Sequence, residues 1–276
     1  MTLTPALSVI SAVIAGYLSS ASATSVAPLR TLAQSERPNG PSHALWQALL
    51  TRYLDTTASD GVNRFHYSAV TQADKAALAA YLDSLQAARP SALKDAERRA
   101  YWINLYNAQT IAAVLKAHSA PHPLKSIRDI KLPGSVSAGP WDSKLLKVEG
   151  RDLSLNDIEN GILRKQWTDH RIHFAINCAS IGCPNLSPRA FTAANLEAQL
   201  DKGARDFLRS RRGAEFEGDV LHLSSLFEWY KGDFGKSDKE LLESLARFAT
   251  PEMGIRLKAY TGKINYRYDW NLNGTR

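Results

Sequence analysis

The sequence predicts an α+β fold, a single domain of helices packed around a small mixed or antiparallel sheet. Three observations lead there. Apolar residues recur at helical spacing in four stretches, 42–53, 71–85, 93–117 and 154–167. Strand patterns are few and short, the plainest alternating Ile264, Tyr266, Tyr268 and Trp270 with polar residues. No internal repeat and no linker divides the 276 residues.

The elements follow in order. Residues 6–18 form an apolar run of 13, too short for a bilayer, which needs about 20. Ala21-Ser22-Ala23 follows as an A-x-A cleavage site. The expectation is a signal peptide at 1–23, a flexible leader at 24–41 and one domain at 42–276. The mature protein is then periplasmic or secreted, with no transmembrane segment. Ser42 caps a helix that places Leu45, Trp46, Leu49, Leu50 and Tyr53 on one face. Thr71-x-x-Asp74 is a capping box opening a helix with Leu78, Tyr81, Leu82 and Leu85. Pro90 ends it, and a long helix covers 93–117. Residues 119–150, with four Pro and three Gly, read as loop with a short strand at 144–148. Ser154-x-x-Asp157 opens a helix running to 167. Residues 171–178 read as a strand, 192–208 as a helix, and 215–223 as a hairpin turning at Gly218-Asp219. Ser225-x-x-Glu228 caps a short helix, 238–248 forms another, and 263–270 closes as a half-buried strand.

Polar residues stand where apolar ones are expected. In the long helix, Asn104 and Asn107 fall inside the stripe of Tyr101, Leu105, Ala108, Ile111, Val114 and Leu115. A buried amide must find hydrogen-bond partners, in a ligand or in a nearby loop's backbone. Glu159 lies in the apolar stripe of Leu155, Ile158, Ile162 and Leu163. A carboxylate there needs a cation or donors, as a structural ion pair or as a general acid or base. Along 171–178, strand alternation groups His173, Ala175 and Asn177 on one face, fit for a pocket wall or for contact with the helix amides.

Cys178 and Cys183 are the two cysteines, five steps apart with Gly182 between them. Export favours a disulfide between them. The sharper alternative is a thiol nucleophile, Cys178, activated by His173, with Glu159 or Asn177 orienting the imidazole and Asn104 or Asn107 donating to an oxyanion. Asp233-Phe234-Gly235 spells a kinase metal motif without its companions, since no glycine-rich loop, strand lysine or H-R-D occurs. His170-x-x-His173 on a strand would face opposite ways, so no metal is expected, and no cofactor motif is present. The net charge is +7, and its densest patch is Arg205, Arg209, Arg211 and Arg212. It reads as a solvated face, because no nucleic-acid motif accompanies it.

Five ordered blocks between residues 90 and 273 resemble the DUF547 family of unknown function. They are Tyr101–Ala108 (YWINLYNA), residues 154–164, residues 171–178 with Cys183-Pro184, residues 223–235, and residues 268–273. Asn160 stands where the second block often carries His. The resemblance implies one pocket-like region in which Asn104, Asn107, Glu159, His173 and Cys178 cluster, and it assigns no chemistry. Two functional expectations remain. One is a hydrolase or transferase with a Cys–His site, acting on an unknown small-molecule or cell-envelope ligand. The other is a non-catalytic binding or structural module with a Cys178–Cys183 disulfide. An enzyme needs the polar residues open to a cleft, whereas a structural network needs them sealed.

Overall fold

The computed structural model describes Met1 and residues 40–119, 122–133 and 138–275. The expected signal peptide, and the leader up to residue 39, lie outside the described residues.

Helix α1 (Ala44–Tyr53) leads into a minimal hairpin, β1 (Leu54–Asp55) with β2 (Arg64–Phe65). Helix α2 (Gln72–Gln86) starts at Thr71, whose side chain accepts from the Asp74 amide. The Asp74 carboxylate does not take the Thr71 amide, which donates to Tyr53 Oη at 3.3 Å instead. The carboxylate is held by Tyr53 Oη and, at 2.7 Å, by Arg52, tying α2 to α1. Helix α3 (Asp95–Ala117) is the axis of the fold. It is buried continuously from Arg99 to Ile111, so burial there runs round the whole circumference and takes in Asn104, Asn107, Gln109 and Thr110.

After α3 the chain forms the hairpin β3 (Leu146–Val148) and β4 (Arg151–Leu153). Ser154 and Asp157 then cap each other, the Ser154 amide donating to Asp157 Oδ2 at 2.6 Å and the Asp157 amide to Ser154 Oγ at 3.1 Å. The helix expected there forms, but Asp157–Leu163 is wound as a π-helix before the short α4 (Arg164–Gln166). Such wide turns are rare and recur at functional sites.

The expected strand at 171–178 does not form. Its first part is a 3-10 helix, His170–Phe174, capped by Asp169, which accepts from the Arg171 amide at 2.9 Å. Both sides of this segment are buried, and a short apolar run of that kind has no periodicity that separates strand from helix. The consequence for side chains is direct. His170 and His173, three apart, share one side and both pack against Phe234, with ring centroids 5.0 and 5.6 Å away.

The remainder is α5 (Leu196–Leu208), the hairpin β5 (Ala214–Glu217) and β6 (Val220–Ser224), then α6 (Leu226–Trp229), α7 (Lys231–Phe234), α8 (Asp238–Ala246) and α9 (Pro251–Ala259). Strand β7 (Ile264–Arg267) pairs parallel to β6, giving a mixed three-stranded sheet in the order β5-β6-β7. Gly218, at φ 62°, makes the β5–β6 turn as expected.

Two hydrophobic clusters result. One gathers around α1–α3 and extends to Leu200. The other, from Phe174 to Ile264, gathers the three-stranded sheet and α6–α9. The His170–Phe174 segment divides its side chains between them, Ile172 to the first and Phe174 to the second. No helix among the described residues is long and apolar enough to cross a membrane. In the expected basic patch, Arg211 pairs with Glu215, and the Arg212 guanidinium donates to the carbonyls of Ile181 and Cys183 at 2.8 and 2.6 Å.

Candidate active site

A cavity of about 200 Å3 opens where the two clusters meet, and Glu159, His173, Cys178 and Cys183 all line it. The π-helix delivers Glu159, the 3-10 helix delivers His173, and the loop after it delivers the cysteines.

Cys178 sits on a turn made by its neighbour. Ala179 has φ 58°, in the left-handed region that a residue with a Cβ avoids. Hydrogen bonds hold it there: the Ala179 amide donates to Asn177 Oδ1 at 2.9 Å, and the Asn273 amide donates to the Ala179 carbonyl at 3.0 Å. Backbone strain of this kind, of order 1–3 kcal/mol, concentrates at functional sites. Further along, the Gly182 amide donates to the Asp269 carbonyl at 2.8 Å. A Cβ on Gly182 would lie 2.7 Å from the Asp269 nitrogen, so the approach of these two chain segments requires glycine.

The expected disulfide is absent. Both cysteines are free. Cys183 Sγ is turned onto the Cys178 amide, which donates to it at 3.0 Å, while Cys178 Sγ faces Ser180 Oγ and Tyr268 Oη, each at 3.0 Å. Burial alone would raise the Cys178 thiol, but hydrogen bonds from Cys183, Ser180 and Tyr268 outweigh it and hold the thiol below its ordinary range. Cys183 moves the other way: burial, then its bond to Cys178 and the charge there, push it well up. Of the two sulfurs, Cys178 is therefore the readier to ionise. Cys178 is partly exposed and Cys183 buried.

His173 is 1% exposed. Its Nε2 lies 2.7 Å from Asp233 Oδ2, and its Nδ1 is buried without a hydrogen-bond partner. Burial would raise the Asp233 carboxyl, but bonds from His173 and Arg164 hold it well below the usual range. An ionised Asp233 favours the tautomer with its proton on Nε2, and Nδ1 is turned toward Glu159 Oε1, 3.9 Å away. Arg164 grips the same carboxylate through Nε at 2.5 Å and Nη2 at 2.7 Å. Tyr230 stacks on the imidazole with centroids 4.2 Å apart. No hydrogen bond joins Cys178 to His173; they share the cavity rather than a contact.

Glu159 does not orient the imidazole. Its Oε1 stands 3.9 Å from Nδ1, and its Oε2 accepts from Tyr106 Oη at 3.2 Å. Asn104, Asn107 and Asn177 lie outside the cavity, spent on backbone. Asn104 brackets Phe191, donating to its carbonyl at 2.7 Å and accepting from its amide at 3.0 Å. Asn107 brackets the approach to Cys178, donating to the Ala175 carbonyl at 2.9 Å and accepting from the Asn177 amide at 2.8 Å. Asn177 donates to the Pro184 carbonyl at 2.7 Å. These amides form the sealed network, and the groups with acid–base or nucleophilic chemistry form the open cleft.

Asp233 was the residue hidden in the kinase-like tripeptide. What marks it is the company of Phe234, which packs on His173; sixty residues of intervening chain conceal the pairing. The aromatic wall of Trp141, Trp229, Tyr230, Tyr268 and Trp270 was marked only in part, by the blocks at 223–235 and 268–273, which left its role unassigned.

The family described as a protein of unknown function, DUF547, matches residues 90–208. The matched span is similar to that family. It includes Tyr106, Glu159, His173, Cys178 and Cys183, and with them the first three of the five resembling blocks. The blocks at 223–235 and 268–273 lie beyond the match. They reach the same cavity from outside the match, Asp233 on the imidazole and Tyr268 on the Cys178 sulfur. No curated protein and no solved structure shows a significant match to the chain. Among the described residues no group of three or more His, Cys, Asp or Glu is placed to hold a metal ion.

Proposed function

We propose that the chain is an exported, thiol-dependent acyl-transfer enzyme, a hydrolase or transferase, with Cys178 as nucleophile and His173 as its acid–base partner. The observation that carries this reading is the pairing, in one cavity, of a sulfur held by donors with a buried imidazole whose Nδ1 is free and whose Nε2 is fixed by Asp233. Export rests on the apolar run at 6–18 followed by Ala21-Ser22-Ala23.

In the reaction His173 Nδ1 takes the Cys178 thiol proton and the sulfur attacks an acyl carbonyl, forming a carbon–sulfur bond and an oxyanion. The oxyanion collapses, the bond to the leaving group breaks, and the leaving group takes a proton from His173 Nδ1. Water or an acceptor nucleophile, deprotonated by the same nitrogen, then attacks the thioester and releases Cys178. Asp233 keeps Nε2–H in place and stabilises the imidazolium that forms in between, the role a third carboxylate plays in nucleophile–histidine systems. Hydrogen bonds at such sites are often long without substrate and tighten when it binds.

The test is activity-based labelling of mature protein with thiol-directed and serine-directed acylating probes, with the modified residue read by mass spectrometry. Label on Cys178, abolished in Cys178→Ala and slowed at least tenfold in Asp233→Ala, is expected. Labelling of Cys178 no faster than that of a free cysteine peptide would remove the thiol-enzyme reading.

A further inference from the structure

The cavity carries a charge that thiol chemistry leaves unused. Arg164 and Asp233 cancel through their paired bonds. Cys178 and His173 sum to zero either as thiol and imidazole or as thiolate and imidazolium. Glu159, 6% exposed, is the charge left over. Its partners there, the Tyr106 and Tyr230 hydroxyls, are neutral; burial and then the Glu159 charge push both phenols upward, so they stay protonated. The cationic groups nearest it are the His173 imidazole, 3.9 Å away, and Arg164, which is already paired to Asp233, so Glu159 has no counter-charge of its own, and a buried carboxylate so placed is costly.

Around that carboxylate the walls are aromatic. Trp229, Tyr268 and Trp270 form a cluster with centroids 4.8, 4.6 and 5.5 Å apart, and Trp141 meets Trp270 at 5.9 Å. Trp229 is 48% exposed, a large ring left in solvent at the edge of the cavity. Such faces attract cations. Two of them already do: the Arg128 guanidinium lies 5.1 Å from the Trp270 ring and Arg164 lies 4.8 Å from Tyr230. A volume of about 200 Å3 corresponds to about seven water volumes of ~30 Å3, room for a small ammonium group and the acyl carbon beside it.

We infer that the cavity recognises a positively charged amine close to the reacting carbonyl, so that the substrates are aminoacyl compounds rather than neutral or acidic acyl groups. The acyl part of this inference rests on the thiol-enzyme reading; the ammonium site does not. Glu159 supplies the counter-charge and the tryptophan and tyrosine faces enclose the cation, while an acidic acyl group meets repulsion from Glu159.

The test uses Cys178→Ala protein, so that it is independent of thiol reactivity. Tryptophan fluorescence is titrated with tetramethylammonium chloride, with its neutral near-isostere tert-butyl alcohol, and with sodium chloride at matched ionic strength. A saturable change with tetramethylammonium is expected, at least tenfold weaker with the alcohol and absent with the salt. Adding Glu159→Gln should weaken the ammonium at least tenfold, and Trp229→Ala, an exposed position with little bearing on folding, at least threefold. Equal binding of alcohol and ammonium, or no saturable change, overturns the inference. So does unchanged affinity in Glu159→Gln, or in Trp229→Ala where Glu159→Gln does not fold. A failed ammonium titration leaves Cys178 labelling intact, and failed labelling leaves the titration intact.

Discussion

Replacing Asn107 by Leu tests the link between the central helix and the turn at Cys178. Leu is close in shape and the better helix former, by a few tenths of a kcal/mol. Helix propensity alone therefore predicts a small gain. The structure predicts a loss. The Ala175 carbonyl and the Asn177 amide, both buried, give up the hydrogen bonds that Asn107 provides at 2.9 and 2.8 Å. Each buried group left unpaired costs about 1–3 kcal/mol, so the variant should lose about 2–6 kcal/mol. For a chain of this size that lowers the melting temperature by about 4–24 °C, at roughly 2–4 °C per kcal/mol. Thermal unfolding followed by circular dichroism measures it. Because Asn177 precedes Cys178 directly, the pH midpoint of Cys178 alkylation should also rise toward that of an ordinary thiol. A destabilisation under about 1 kcal/mol with an unchanged alkylation profile would show that the two backbone groups find other partners, and the bracketing role would fall.

Three further outcomes are expected. Tyr268→Phe removes one donor from the Cys178 sulfur; a bond to a charged group is worth about 1.5–3 kcal/mol, so the alkylation midpoint should move up by about one pH unit or more at 1.36 kcal/mol per unit, and a midpoint that stays put would mean the phenol does not bond the thiolate. Burial pulls His43, which bonds Tyr81 Oη at 2.7 Å, down to about 4 from 6.5. The unfolded chain therefore binds a proton there that the folded chain refuses between about pH 6.5 and 4, and stability falls as pH drops through that window; urea unfolding at pH 7 and pH 4.5 should show a smaller loss in His43→Gln than in the parent, and parallel losses would contradict the assignment. Ala179→Val puts a β-branched side chain at φ 58° and should cost about 2–3 kcal/mol, read from urea midpoints, with a loss below about 1 kcal/mol showing that the turn relaxes.

What the sequence by itself determined was local. Thr71 caps α2, Ser154 and Asp157 cap each other, and Gly218 turns the β5–β6 hairpin, because each involves residues a few positions apart whose side chains and backbone meet whatever the rest of the chain does. Polar residues in apolar stripes were equally legible: Asn104, Asn107 and Glu159 are buried, as their spacing required. What each does there was not legible. The amides met loops 68 to 87 residues away, while Glu159 met a cavity, and one periodicity describes both. The stretch at 171–178 was misread because burial on both sides erases the alternation that separates a strand from a 3-10 turn. The parallel pairing of β6 with β7 and the seating of Asp233 on His173 depended on tertiary closure, since they join residues 43 and 60 positions apart with no local signal. Even the two sulfurs, five residues apart, were decided by that closure. The chain returning at Tyr268 and Asp269 turns the loop so that one sulfur faces a phenol and the other its neighbour's amide, a geometry that spacing alone left open between a bond and a nucleophile.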